Sequence, residues 1–224
     1  MSDFPFDTVL FDLDGTLVDS ARDLGPAVNA ALAAIGRPPV AESEVRSMIG
    51  GGTDMMLTRA LEATGGAVDE ATYARLSQAL LDHYWAHIAD HTVPYPGCLA
   101  ALDELAALGC KLAVVTNKAE KPARELLAAL GMTDRFAFIY GGDTLGRENA
   151  KPLPAMLHAA VADCGGGRAA MVGDSTYDVR AGHAAGLPVV TCAFGYHDVP
   201  AAELGGDATI DGFDELVGVL RSLA

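Results

Sequence analysis

Short apolar runs alternate with helical patterns along most of this chain, and that alternation leaves few folds open. Residues Thr8 to Leu13 read TVLFDL, apolar nearly throughout and bounded by acidic residues. Such a run fits a strand buried on both faces of a parallel sheet, where helices packed on either side take every side chain out of water. CKLAVVT (Cys110 to Thr116), AAMVG (Ala169 to Gly173) and LPVVTCA (Leu187 to Ala193) repeat the pattern, and FAFIYG (Phe136 to Gly141) is a weaker instance. Helical patterns lie between them at Leu99 to Leu108, Glu120 to Leu130, Pro154 to Asp163 and Asp178 to Ala185. Strand alternating with helix predicts an α/β fold, a doubly wound parallel sheet forming a Rossmann-like core.

One stretch breaks the alternation. From about Asp19 to His91 only helical patterns occur, among them LGPAVNAALAAIG, TDMMLTRALEAT and ATYARLSQALLDHYWAHIAD, separated by turns that carry Gly and Pro. A block of helices inserted after the first strand predicts a small all-helical cap domain over residues 19–92, returning through VPYPG at Val93 to Gly97. Residues 1–18 and 93–224 then form the core. A chain of 224 residues has room for both units.

In an open parallel sheet, ligands gather at the carboxyl ends of the strands, near the point where strand order reverses. The first strand ends in Asp12-Leu13-Asp14-Gly15-Thr16 and the second in Thr116-Asn117-Lys118. Lys151 stands just ahead of a helix, and the AAMVG strand runs into Gly173-Asp174-Ser175-Thr176-Tyr177-Asp178. Asp12 and Asp14 can face one ligand if the chain leaves the pleat between them, a freedom that Gly15 supplies. One carboxylate could then attack phosphorus while the other handles the proton of the leaving group. Mg2+ takes hard oxygen ligands, few of them from protein, which suits Asp12, Asp174 and a backbone carbonyl. The Thr116 hydroxyl and Lys151 ammonium would hold phosphoryl oxygens.

D-x-D-G-T, a strand ending in Thr, a lone Lys and G-D-S-x-x-x-D occur here in one order, and together they resemble the four motifs of haloacid dehalogenase-type phosphatases. The resemblance spans essentially the whole chain. It implies Asp12 as nucleophile, Asp14 as general acid and base, and Thr116, Asn117 and Lys151 as the phosphate-binding set. It implies Mg2+ held by Asp12, Asp14 and Asp174 with support from Asp178, and a mobile cap. YPG, VVTNK and GGDTLGRENAKPLPAML are similar to the phosphoglycolate phosphatase branch, which implies 2-phosphoglycolate as favoured substrate and a small phosphorylated metabolite as partner. Another small ester, such as a sugar phosphate, or a sugar-phosphate mutase reaction uses the same parts. A dehalogenase typically lacks the second Asp of the first motif, and the phosphonate-cleaving relatives need a cap lysine, whereas no lysine precedes Lys111. A non-catalytic binding protein is disfavoured by the complete set of catalytic residue types.

Charge narrows the partners further. A net charge of −15 without a basic block repels nucleic acid. Cys98, Cys110, Cys164 and Cys192 are widely spaced and form no zinc or dithiol motif. The N-terminal residues lack the pattern of a secretory signal, and no apolar run approaches a membrane span. The expectation is a soluble cytoplasmic protein, monomer or homodimer. His83, His87 and His91 recur at helical spacing but lack the Glu of a zinc helix. The Gly50-Gly51-Gly52 run reads as an interhelical turn or a loop that meets substrate, and the flanking Arg46 and Arg59 are candidates for pairing with a substrate carboxylate.

Overall fold

A computed structural model describes residues 4–223. Its centre is a six-stranded sheet of β1 (Thr8–Phe11), β4 (Lys111–Val115), β5 (Phe138–Tyr140), β6 (Ala169–Gly173), β7 (Val189–Cys192) and β8 (Ala208–Ile210). The strands lie in the order β5-β4-β1-β6-β7-β8 and every pair is parallel. β1 is central and buried throughout. Its side chains alternate between two cores: Val9 and Phe11 join the one, Leu10 the other. Helices α5 (Cys98–Ala107), α6 (Glu120–Ala129), α7 (Ala155–Asp163), α8 (Thr176–Ala184) and α9 (Leu216–Ser222) flank the sheet. This is the doubly wound α/β fold expected from the strand and helix patterns. β8 and α9 complete it beyond those expectations.

From β1 the chain reaches β4 and β5 on one side of the sheet, then β6, β7 and β8 on the other. Strand order therefore reverses at β1, and the carboxyl ends of β1, β4 and β6 enclose a crevice.

Between β2 (Val18–Asp19) and β3 (Val93–Pro94) lie α1 (Ala21–Ala33), α2 (Glu42–Met48), α3 (Thr53–Thr64) and α4 (Glu70–Ala86). Their apolar residues recur at helical spacing: Leu24, Ala27, Val28, Ala31 and Leu32 on α1, and Leu76, Leu80 and Tyr84 on α4. These faces meet in a core of the block's own, to which the sheet side contributes Tyr196. Asp69 starts α4 by accepting from the Thr72 N–H at 2.9 Å.

β2 and β3 pair antiparallel, so the chain leaves and re-enters the sheet side through adjacent strands. Asp23 of α1 clamps this junction. Its buried carboxylate accepts from the His91 N–H at 3.0 Å, the Thr92 N–H at 2.8 Å and the Thr92 hydroxyl at 2.6 Å. From the other side, Tyr196 Oη accepts from the Ser20 and Ala21 N–H groups at 2.7 and 2.8 Å and donates to Asp19. Asp23→Ala should lower unfolding stability by roughly 3 kcal/mol, since several buried donors lose a charged acceptor at once. Urea denaturation would measure this, and a loss below about 0.5 kcal/mol, as at an ordinary surface site, would show the clamp to be dispensable.

Candidate active site

Asp12 is the first residue past β1 and still follows the ladder, its N–H donating to Val172 O at 3.0 Å. The chain then turns sharply at Gly15, whose φ is +86°. A Cβ at that position would lie 2.3 Å from Asp174 Oδ2, so the close approach of this turn to the β6 end admits only glycine. By this turn Asp12 and Asp14 line one cavity with Thr116 and Lys118. The cavity measures about 30 Å³, with Leu24, Ile49, Gly50, Gly52, Thr53 and Met56 of the helical block on its far wall.

Carboxylate oxygens of Asp12, Asp174 and Asp178 lie within 4.8 Å of one another, all buried. Asp174 is oriented by the Thr16 hydroxyl, which donates to Oδ1 at 2.7 Å, and by the Tyr196 N–H, which donates to Oδ2 at 2.6 Å. Asp178 is more fully engaged. Its Oδ2 accepts from the Asp174 N–H, the Ser175 N–H and the Ser175 hydroxyl, while its Oδ1 accepts from Lys151 Nζ at 2.6 Å. Asp178 thus braces the β6–α8 turn as part of the helix start and orients its neighbours, as support for a metal ligand would. Gly173 makes room for it, since a Cβ there would meet Asp178 Cγ at 2.3 Å.

Two of the three carboxylates share one ammonium. Lys151 Nζ also lies 3.0 Å from Asp12 Oδ1, an ion contact that leaves this buried oxygen without a hydrogen bond. Burial pushes the Asp12 carboxyl up to about 6, with Lys151 pulling it down and the Asp178 charge pushing it up. Asp174 is raised well above the carboxylate range by burial and by the charges of Asp178 and Asp12. Burial alone would lower the Lys151 ammonium, yet Asp12 and Asp178 hold it above its ordinary value. When all three acids ionise, negative charge exceeds positive among buried groups. A divalent cation fits that excess, and the donors are hard oxygens.

Asp14 is placed apart from this cluster. Its Oδ1 accepts from the Ser20 hydroxyl at 2.6 Å and its Oδ2 from Lys118 Nζ at 2.9 Å. Among the described residues, the carboxylates that converge are Asp12, Asp174 and Asp178, and the Asp14 side chain lines the cavity paired with a lysine of its own. That arrangement suits a group that handles a proton.

Thr116 lines the cavity at the end of β4, with its hydroxyl accepting from the Lys118 N–H at 3.2 Å. Asn117 joins three segments through its side-chain amide. Both N–H groups of its amide are engaged, one with Lys151 O at 3.0 Å and one with Gly50 O at 3.2 Å. Its side chain ties the Lys151 loop and the Gly50 loop to the β4 end. Arg46 and Arg59 have partners within the protein. Arg46 donates to Asp19 Oδ2 at 2.9 Å and stacks over the Tyr196 ring. Arg59 donates to Met48 O at 3.2 Å. Neither lines the cavity. Lys118, Thr16 and Tyr196 are the contributors that motif reading passed over. Lys118 stood within VVTNK, but nothing in that string says where the ammonium goes.

The raised Asp12 pKa has a sign that can be checked. Below pH 3.8 both folded and unfolded chains hold the proton; between 3.8 and about 6 only the folded chain does. Its ionisation therefore opposes folding, and the stability it allows at low pH is lost as pH rises through about 6. In chelator at pH 7.5, Asp12→Asn should melt several degrees above the wild type, and the difference should shrink toward zero at pH 4. A difference in calorimetric Tm that stays constant with pH would contradict this.

Comparison with known proteins agrees with the geometry. The family model for haloacid dehalogenase-like hydrolases matches residues 9–192. A phosphoglycolate phosphatase of Rhodospirillum rubrum is 44% identical over 93% of this chain and 88% of its own length. One from Chromobacterium violaceum is 38% identical over 96% of both chains. The crystal structure of a predicted phosphoglycolate phosphatase from Haemophilus somnus superposes with a TM-score of 0.90 at 31% identity, covering 97% of this chain and 99% of that one. With the carboxylates, the lysine and the threonine of its motifs gathered at the switch point of a doubly wound sheet, the chain belongs to the haloacid dehalogenase-like hydrolases.

Proposed function

We propose that the chain is a Mg2+-dependent phosphatase that hydrolyses a small phosphomonoester, 2-phosphoglycolate by preference, through an aspartyl-phosphate on Asp12. The observation that carries this reading is the inner cavity at the ends of β1 and β4, where a buried carboxylate bound to a buried lysine stands beside a second carboxylate on a different lysine. Asp12 and Asp174 would hold the metal, and Asp178 would orient the set. Bound there, Mg2+ would offset carboxylate charge and draw the phosphoryl oxygens toward Asp12.

At neutral pH an Asp12 carboxyl titrating near 6 is mostly ionised and able to attack. Its oxygen bonds to phosphorus as the ester oxygen departs, and a proton from Asp14 converts the leaving alkoxide to an alcohol. Asp14, then ionised, takes a proton from water, whose oxygen attacks phosphorus and returns Asp12 and inorganic phosphate. Lys151 and the Thr116 hydroxyl hold the equatorial oxygens meanwhile.

Substrate size follows from the cavity. A cavity of about 30 Å³ admits only a small ester. We read this block, residues 19–92, as a cap that moves on its paired strands to admit the ester and exclude water. The names of the R. rubrum and C. violaceum relatives support 2-phosphoglycolate as that ester.

Phosphate release from a panel of esters, with Mg2+ and with chelator, tests the reading. Turnover should require Mg2+ and be greatest with 2-phosphoglycolate. Asp12→Asn should abolish it, and Asp14→Asn should slow it about 10²- to 10⁴-fold, the usual span for a lost general acid. Persistent turnover in Asp12→Asn would remove the nucleophile assignment. A better ester would replace the substrate and leave the chemistry standing.

A further inference from the structure

Lys118 does more in this structure than the proposed reaction asks of it. It is 6% exposed, and among the described residues it is the one cation lining the inner cavity. None of the other basic groups nearby lines it. Lys151 sits between Asp12 and Asp178, and Arg46 and Arg59 are held on the helical block outside this cavity. Arg147 pairs with Asp54, is 70% exposed along its side chain, and belongs to a wider outer pocket of about 300 Å³.

The surroundings of Lys118 leave it a donor to give. An ammonium carries three N–H groups. One is taken by Asp14 Oδ2 at 2.9 Å, and the Nζ lies 4.5 Å from the centre of the Tyr84 ring, so one further side is covered by a π face. Tyr84 comes from α4 of the helical block, and its own hydroxyl is buried without a hydrogen-bond partner. Burial alone would lower the Lys118 ammonium, but Asp14 and Tyr84 outweigh it and hold the group charged. On the opposite wall, Gly50, Gly52 and Thr53 bring the start of α3 to the same cavity, and its N-cap, Gly52, offers no side-chain oxygen to the first turn. A buried charged donor and a helix start without a side-chain cap thus face one small space. That space suits a second anionic group on the substrate.

We infer that Lys118 is the specificity-determining residue of this site: its ammonium takes the carboxylate of a short phosphorylated acid while Lys151 and Thr116 hold the phosphoryl end. The inference rests on the phosphatase reading given above and adds to it the residue that tells such an acid from a neutral ester. Lys118 is braced from the core by Asp14 and from the helical block by Tyr84, so recognition is complete only with that block seated.

The test compares 2-phosphoglycolate with monoethyl phosphate, which has no carboxylate, each with Mg2+. The wild type should favour the acid in kcat/KM. Lys118→Gln keeps a donor for Asp14 but removes the charge, and should reduce that preference about 10- to 100-fold, the worth of a hydrogen bond to a charged group. Lys118→Arg should restore part of it, and Arg147→Gln should leave it unchanged. Equal losses for both esters in Lys118→Gln would overturn the inference, since Lys118 would then serve only Asp14. Loss of the preference in Arg147→Gln would overturn it as well.

Calorimetric binding separates this from the phosphatase reading. Asp14→Asn is compared with the double variant Asp14→Asn, Lys118→Met, in which no buried charge is left unpaired. The double variant should bind 2-phosphoglycolate at least 10-fold more weakly, with ethyl phosphate unaffected; equal binding would refute the role of Lys118. If no ester is turned over by the wild type, the phosphatase reading fails, and the binding comparison still decides for or against Lys118.

Discussion

Like charges brought together out of water set the terms for the rest of this molecule. Three carboxylates occupy the crevice at the end of β1 and β6, with a single ammonium, Lys151 Nζ, between two of them. Such a cluster is tolerable only when its remaining lone pairs are filled and its charge is offset. Much of the neighbouring backbone answers that need. The β6–α8 turn wraps Asp178 with its own N–H groups and the Ser175 hydroxyl, and Thr16 and the Tyr196 N–H take up Asp174. Glycines stand where a side chain would collide with these carboxylates, at Gly15, Gly173 and Gly195. The geometry that makes the site costly to fold also makes it receptive to a divalent cation and to a phosphoryl group.

A second balance of charge faces the first across the cavity. Asp14 and Lys118 form a buried pair, and the Tyr84 ring closes over the ammonium from the helical block. The two carboxylates of the first motif are thereby given different environments, which is the arrangement needed for one to attack and the other to carry a proton. Contact with Tyr84, Ile49, Gly50 and Met56 makes the inner cavity a joint product of sheet and helices. Adjacent strands β2 and β3, held by Asp23 and Tyr196, keep the two parts in register at their junction. Asn117 adds a tie at the other end of the crevice, reaching both Lys151 O and Gly50 O. Chemistry and closure are thus built from the same small set of contacts.

The amino-acid sequence by itself determined the class of fold and the identity of the motif residues. Buried strands such as TVLFDL and AAMVG are apolar on both faces, and helices such as α1 carry their apolar residues at the helical repeat, so local pattern and final environment agree. Asp12, Thr116 and Asp174 were legible because each terminates a strand of that kind. β8 was not: ATI is three residues long and only its last is buried, so its pairing with β7 gives little trace in the local pattern. Only the tertiary structure decided how the charges are shared. Lys118 and Lys151 are 33 positions apart and follow different strands, yet one faces Asp14 and the other Asp12 and Asp178. Asn117, Arg46 and Arg59 look like ligand-binding residues as letters but are occupied by backbone carbonyls or by Asp19. The physical reason is one of range. Apolar periodicity is local along the chain, whereas the partner of a buried polar group is whatever the packing of distant segments brings within hydrogen-bond reach.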